Sequence, residues 1–149
     1  MEELILEAIR HEIYEREFYL ALGRKVKNPL VRRKINGLAD DEMEHRQTLS
    51  RLFWSQTGRE PGRMDPEPAI LDMPEIDGTS LPELFKAAME MEKKAGEEYN
   101  RMAKRAGDKR TSAFLEYLAQ FEKEHYETLS AELGNILRLP GWEEQGPAD

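Results

Sequence analysis

The sequence contains no cysteine. That excludes disulfides, thiolate nucleophiles, sulfur-ligated zinc and iron–sulfur clusters. It also has no basic excess, with 22 Lys and Arg against 30 Asp and Glu and a formal net charge of −8. A nucleic-acid binder needs a positive face for the phosphate backbone, so nucleic acid is excluded as the main partner. No apolar run reaches the ~18 residues that a membrane span requires. Met1-Glu2-Glu3-Leu4 opens directly into an acidic amphipathic pattern rather than a signal peptide. These absences predict no membrane partner and a cytoplasmic protein.

What is present is helical periodicity in a chain of 149 residues, long enough for one domain with a real core. The apolar spacing predicts four helices, at about Glu2 to Val26, Leu30 to Trp54, Ser80 to Ala106 and Arg110 to Leu137. Asn28-Pro29 separates the first pair, because proline disfavours helix at the residue before it. Thr79 or Ser80 caps the third helix, with Pro82 in its first turn and Glu83 three residues after Ser80. Gly107-Asp108 separates the second pair. Residues 55–79 carry Pro61, Pro66, Pro68 and Pro74 and read as an irregular crossover. The fold class is therefore all-α, a four-helix bundle of two antiparallel hairpins joined by one long crossover. The bundle is expected to fill residues 1–139, and residues 140–149 form a loose tail.

The chain repeats itself at an offset of 80 without a gap. Glu12 falls on Glu92, Glu17 on Glu97 and Tyr19 on Tyr99. Leu38-Ala39 falls on Leu118-Ala119, Glu42 on Glu122, Glu44 on Glu124 and His45 on His125. Thr48-Leu49-Ser50 falls on Thr128-Leu129-Ser130. Two copies of one hairpin, packed face to face, make a pseudo-twofold bundle in which each inner face meets its own copy.

Polar residues interrupt all four inward stripes. They are Glu12 between Ala8 and Tyr19, Glu42 and His45 between Leu38 and Leu49, Glu92 between Ala88 and Tyr99, and Glu122 and His125 between Leu118 and Leu129. Carboxylates buried together are costly unless they are neutralised by protons or bind cations. The Glu-x-x-His spacing puts both side chains of a pair on one helix face. One glutamate from each of two helices, with Glu-x-x-His from each of the other two, is the ligand pattern of di-iron and di-manganese carboxylate bundles. Mixed oxygen and imidazole donors without sulfur suit iron, manganese or a mixed pair.

Other residues carry weaker signals. Glu15 lies one turn after Glu12, with Ala95 at its repeat position. It reads either as an additional, movable ligand or as a stripe-edge glutamate reaching solvent or a lysine. Tyr19 and Tyr99 either hydrogen-bond the ligating glutamates or simply fill the core. His11 has no repeat partner, since Met91 stands there, and it is not assigned to the metal. Trp54 and Trp142 read as packing residues, and Arg24-Lys25-Val26-Lys27 as a basic helix end that complements the dipole.

The segments Glu12 to Tyr19, Leu38 to His45, Glu92 to Tyr99 and Glu122 to His125 resemble the rubrerythrin branch of the ferritin-like superfamily. The resemblance implies terminal ligands at Glu12 and Glu92, bridging carboxylates at Glu42 and Glu122, and one imidazole per metal from His45 and His125. It also implies at least a homodimer. Rubrerythrins proper add a cysteine-ligated rubredoxin centre, which a chain without cysteine cannot hold, so an external electron donor protein is expected. They also carry a second, redox-mobile glutamate on the third helix, where Ala95 stands here. The leading expectation is a di-iron oxidoreductase that reacts with hydrogen peroxide or dioxygen, as a peroxidase or a ferroxidase. The alternatives are an iron-binding protein that stores, buffers or senses without turnover, and a metal-free interaction bundle.

Overall fold

A computed structural model describes residues 1–66 and 73–139 of the chain. The expected tail, with Trp142, lies outside the described residues, as does the middle of the crossover. Four helices form, α1 (Glu2–Lys25), α2 (Pro29–Thr57), α3 (Leu81–Arg105) and α4 (Lys109–Arg138). No strand occurs among the described residues, and none of their helices is long and apolar enough to cross a membrane.

Each boundary has a local cause. Asn28 caps α2, accepting from the Leu30 and Val31 amides at 2.9 and 3.3 Å, and Pro29 occupies the first turn, where its missing N–H is no loss. Arg32 donates back to the Val26 carbonyl from Nε and Nη2 at 2.8 and 2.6 Å, closing the α1–α2 turn. Ser80 caps α3 through the Glu83 amide, and Asp108 caps α4 through the Thr111 amide. The second helix runs three residues beyond the expected Trp54. Ser55, Gln56 and Thr57 do not break a helix, and termination waits for Gly58, whose φ of 73° is the left-handed conformation that glycine adopts without a Cβ clash.

Two hairpins, α1–α2 and α3–α4, carry the most extensive helix–helix interfaces. Their inner faces bury two apolar clusters. One gathers Tyr19, Leu22, Ile35, Phe85, Met91 and Leu129. The other gathers Ile5, Ile9, Leu49, Phe53, Met102 and Leu115. In all four helices the residues between these clusters are those of the interrupted stripe, so a polar layer lies between two apolar plugs. The stripe residues named above are buried, and Ala106, at the end of α3 where the backbone turns extended, is half-buried. Trp54 corrects the packing expectation. Leu52 and Phe53 take the core positions, and Trp54, a further ~100° around the helix, is 55% exposed.

Candidate metal centre

The polar layer draws on all four helices. α1 contributes Glu12 and Glu15, α2 Glu42 and His45, α3 Glu92, and α4 Glu122 and His125. All are buried, and the five glutamates have no accessible surface. Periodicity places them there, since each lies a whole number of turns from apolar core residues on its own helix.

Their atoms converge into two groups. Glu12, Glu42, His45 and Glu122 each offer a ligand atom, all within 4.8 Å of one another, and Glu15, Glu42, Glu122 and His125 do the same. Glu42 and Glu122 belong to both. Glu92 belongs to neither, although its Oε1 lies 3.7 Å from His125 Nδ1. Its carboxylate is turned toward Tyr19, whose hydroxyl donates to it. The pseudo-symmetric bond runs the other way across the bundle, from the Tyr99 hydroxyl to Glu12 Oε1 at 3.0 Å. Both tyrosines therefore hydrogen-bond glutamates of the layer rather than merely filling space.

Glu15 does not reach solvent or a lysine. It is fully buried and pairs with His11 one turn earlier, a short i,i+4 contact. His11 also packs edge-on against Tyr99, with ring centroids 5.6 Å apart, and enters neither group. The His11–Glu15 pair was not readable as such, though its i,i+4 spacing was a usable signal. Asp41, which lies off the inward stripe of α2, also reaches the layer. Its Oδ2 lies 3.0 Å from His125 Nε2. With Nε2–H donating to Asp41, Nδ1 is the nitrogen that points inward, 3.1 Å from Glu42 Oε1.

Electrostatics follow from burial of like charges. Burial pushes the Glu122 carboxyl well above the ordinary range, and the charges of Glu15 and Glu92 push it further. Burial also takes Glu15 up to about 8, with Glu92 adding and His11 opposing. The same burial acts upward on Glu92, but the neighbouring Glu122 carboxyl and His125 imidazole outweigh it and hold Glu92 at about 2. His125 is pulled down by burial, yet the Asp41 bond and the neighbouring Glu92 raise it to about 10. A layer of this kind demands positive charge, which protons or metal cations can supply.

The donor set fits metal ions. Both oxygens of Glu42 and of Glu122, one each of Glu12 and Glu92, and Nδ1 of His45 and His125 are buried without a hydrogen-bond partner. Buried polar atoms are normally satisfied. Here the orphaned atoms are concentrated where two four-residue groups meet, and they are the oxygen and imidazole donors that iron and manganese accept.

The family model described as Rubrerythrin matches residues 3–133. The chain is similar in structure to a hypothetical protein from Pyrococcus furiosus, with 32% identity over 92% of this chain and 90% of that one, at a TM-score of 0.74. It is also similar to Desulfovibrio desulfuricans bacterioferritin, whose di-iron site has been seen in different catalytic states. That identity is 19%, over 93% of this chain and 80% of that one, at a TM-score of 0.78. For BfrA from M. tuberculosis the identity is 16%, over 96% and 88%, at a TM-score of 0.75. At these last two identities the likeness shows the fold alone. Among curated proteins no sequence relative matches.

Proposed function

The chain belongs to the rubrerythrin family, and from that premise we propose that its polar layer binds two iron ions and reduces peroxide or dioxygen with electrons from an external donor protein. One observation carries the reading. Glu42 and Glu122 are shared by both four-residue groups, and each group is completed by one histidine and one α1 glutamate. Carboxylates shared by two groups are what two neighbouring metal ions would hold in common; a lone mononuclear site would not need them.

Glu12 and His45 would hold one ion, Glu15 and His125 the other, with Glu42 and Glu122 common to both. Glu92 would join after swinging away from Tyr19. When bound, two ferrous ions supply the two electrons that convert peroxide to water. The side chains do the rest. Tyr99 holds the Glu12 carboxylate in orientation, and Tyr19 holds the Glu92 carboxylate in its unbound position. The apolar clusters above and below exclude bulk water, which strengthens every charge interaction in the layer. Peroxide reduction consumes protons, and His11, paired with Glu15 at the edge of the layer, can hold one.

A second reading, iron storage or buffering without turnover, is favoured by Ala95. This buried alanine leaves Glu92 as the only α3 carboxylate in the layer, so one movable ligand of the rubrerythrin pattern is missing. Peroxide consumption by the iron-loaded protein with a reducing system tests the two. Sustained turnover supports the oxidoreductase; a single stoichiometric oxidation that then stops supports storage.

A further inference from the structure

The repeat that builds the bundle is broken directly beside the bridging glutamates. Asp41 precedes Glu42, but at the repeat position Phe121 precedes Glu122. Each of these residues leans across the bundle onto the histidine of the other hairpin. Asp41 Oδ2 sits 3.0 Å from His125 Nε2. Phe121 instead meets His45 edge to face, with centroids 4.6 Å apart. Tyr117 and Phe114 continue that aromatic wall, at 6.0 and 6.5 Å from the same imidazole. Among the described residues, no carboxylate pairs with His45 Nε2.

The two imidazoles are therefore different ligands. A carboxylate behind a histidine fixes its tautomer, aims its free nitrogen and raises its basicity. An aromatic wall holds the ring by packing and adds no negative charge. The remaining charges reinforce the difference. His125 faces Glu92 Oε1 at 3.7 Å and Glu42 Oε1 at 3.1 Å as well as Asp41. His45 has Glu12 at 3.6 Å, with Glu42 and Glu122 further out, within 4.8 Å.

We propose that the two metal positions are inequivalent: a tight one at His125, set by Asp41, fills first, and a weaker one at His45, backed by Phe121, fills second. This rests on the dinuclear reading above. The consequence is a defined half-loaded state, in which the His45 position exchanges metal while the His125 position retains it. Asp41 and Phe121 are then positioning residues that set the order of loading.

The test is anaerobic calorimetry of ferrous ion added to the full-length, metal-stripped protein, with Asp41→Ala and Phe121→Asp variants. Two events of one equivalent each are expected, with affinities separated by about 10- to 100-fold, the usual effect of such a partner on a metal-bound histidine. Asp41→Ala should lower the first affinity toward the second. Phe121→Asp should raise the second toward the first. Asp41 lies at the surface edge, with its side chain 36% exposed, so its alanine variant decides the matter even if Phe121→Asp fails to fold. Two equivalents bound with one affinity that Asp41→Ala leaves unchanged would overturn the proposal. No ferrous binding in any variant would instead overturn the dinuclear reading on which it rests.

Discussion

Tyr99 on α3 donates its hydroxyl to Glu12 on α1 at 3.0 Å, entirely within the buried layer. The bond ties the two hairpins together at a ligand candidate and leaves the other oxygen of Glu12 without a hydrogen-bond partner. It is matched by Tyr19 and Glu92 running in the opposite sense, so the repeat positions two glutamates by one device.

Tyr99→Phe deletes this donor and changes little else in volume. In the metal-free protein it should cost about 1–3 kcal/mol, because a buried carboxylate oxygen loses its partner. In the loaded protein it should weaken metal binding by roughly tenfold or more. Thermal unfolding of the stripped protein and metal affinity measured side by side check both. An unchanged affinity would mean that the tyrosine serves packing alone.

The double substitution Glu42→Leu, Glu122→Leu should abolish binding of both metals, since these carboxylates are common to both groups. It should also stabilise the stripped protein, by about 1–4 kcal/mol, because apolar residues of similar size replace buried ionisable ones. Elemental analysis and denaturant unfolding read the two effects. A variant that keeps two ions per chain would remove the basis for the bridging assignment.

Chelation should lower the melting temperature substantially. Ligand that binds only the folded state adds about 2.7 kcal/mol at a free concentration one hundred times Kd. The stripped protein also regains the cost of burying Glu15 and Glu122 without cations. Equal melting curves with and without chelator would count against a central site.

The pH dependence of the stripped protein should have an unusual sign. Glu15 is raised from 4.5 to about 8 and Glu122 is raised well above 4.5, so the folded state binds more protons than the unfolded one above pH 4.5. His11, raised from 6.5 to about 9, and His125, raised to about 10, act in the same direction above pH 6.5. Glu92, held at about 2, contributes stability that is lost only as pH falls from 4.5 toward 2. Stability should therefore peak near pH 4–5 and decline as pH rises toward 10. Metal binding needs deprotonated ligands and strengthens with pH, so the gap between loaded and stripped proteins should widen from pH 5 to 8. Unfolding curves across that range check it; a stripped protein that grows more stable from pH 5 to 8 would contradict the layer's electrostatics.

Much of the layer is legible in the sequence. Glu12, Glu42, His45, Glu92, Glu122 and His125 all lie buried at one level of the bundle because helical periodicity alone decides which face a residue takes. The same logic identified the two hairpins and the long crossover, and it put Tyr19 and Tyr99 within reach of the glutamates. It did not extend to Trp54, because a large apolar residue at the end of a helix can face either way until Leu52 and Phe53 have taken the core.

Sequence by itself therefore determined the class of fold, the residues of the polar layer and the donor chemistry they offer, since these depend on spacing of 3.6 residues per turn and on residue type. Tertiary structure alone decided which donors meet. Glu15 rather than Glu92 completes the second group, Glu92 turns to Tyr19, His11 pairs with Glu15, and Asp41 reaches His125 where Phe121 covers His45. Those outcomes depend on side-chain rotamers and on the register between separate helices, and both are settled by packing across the bundle rather than along the chain.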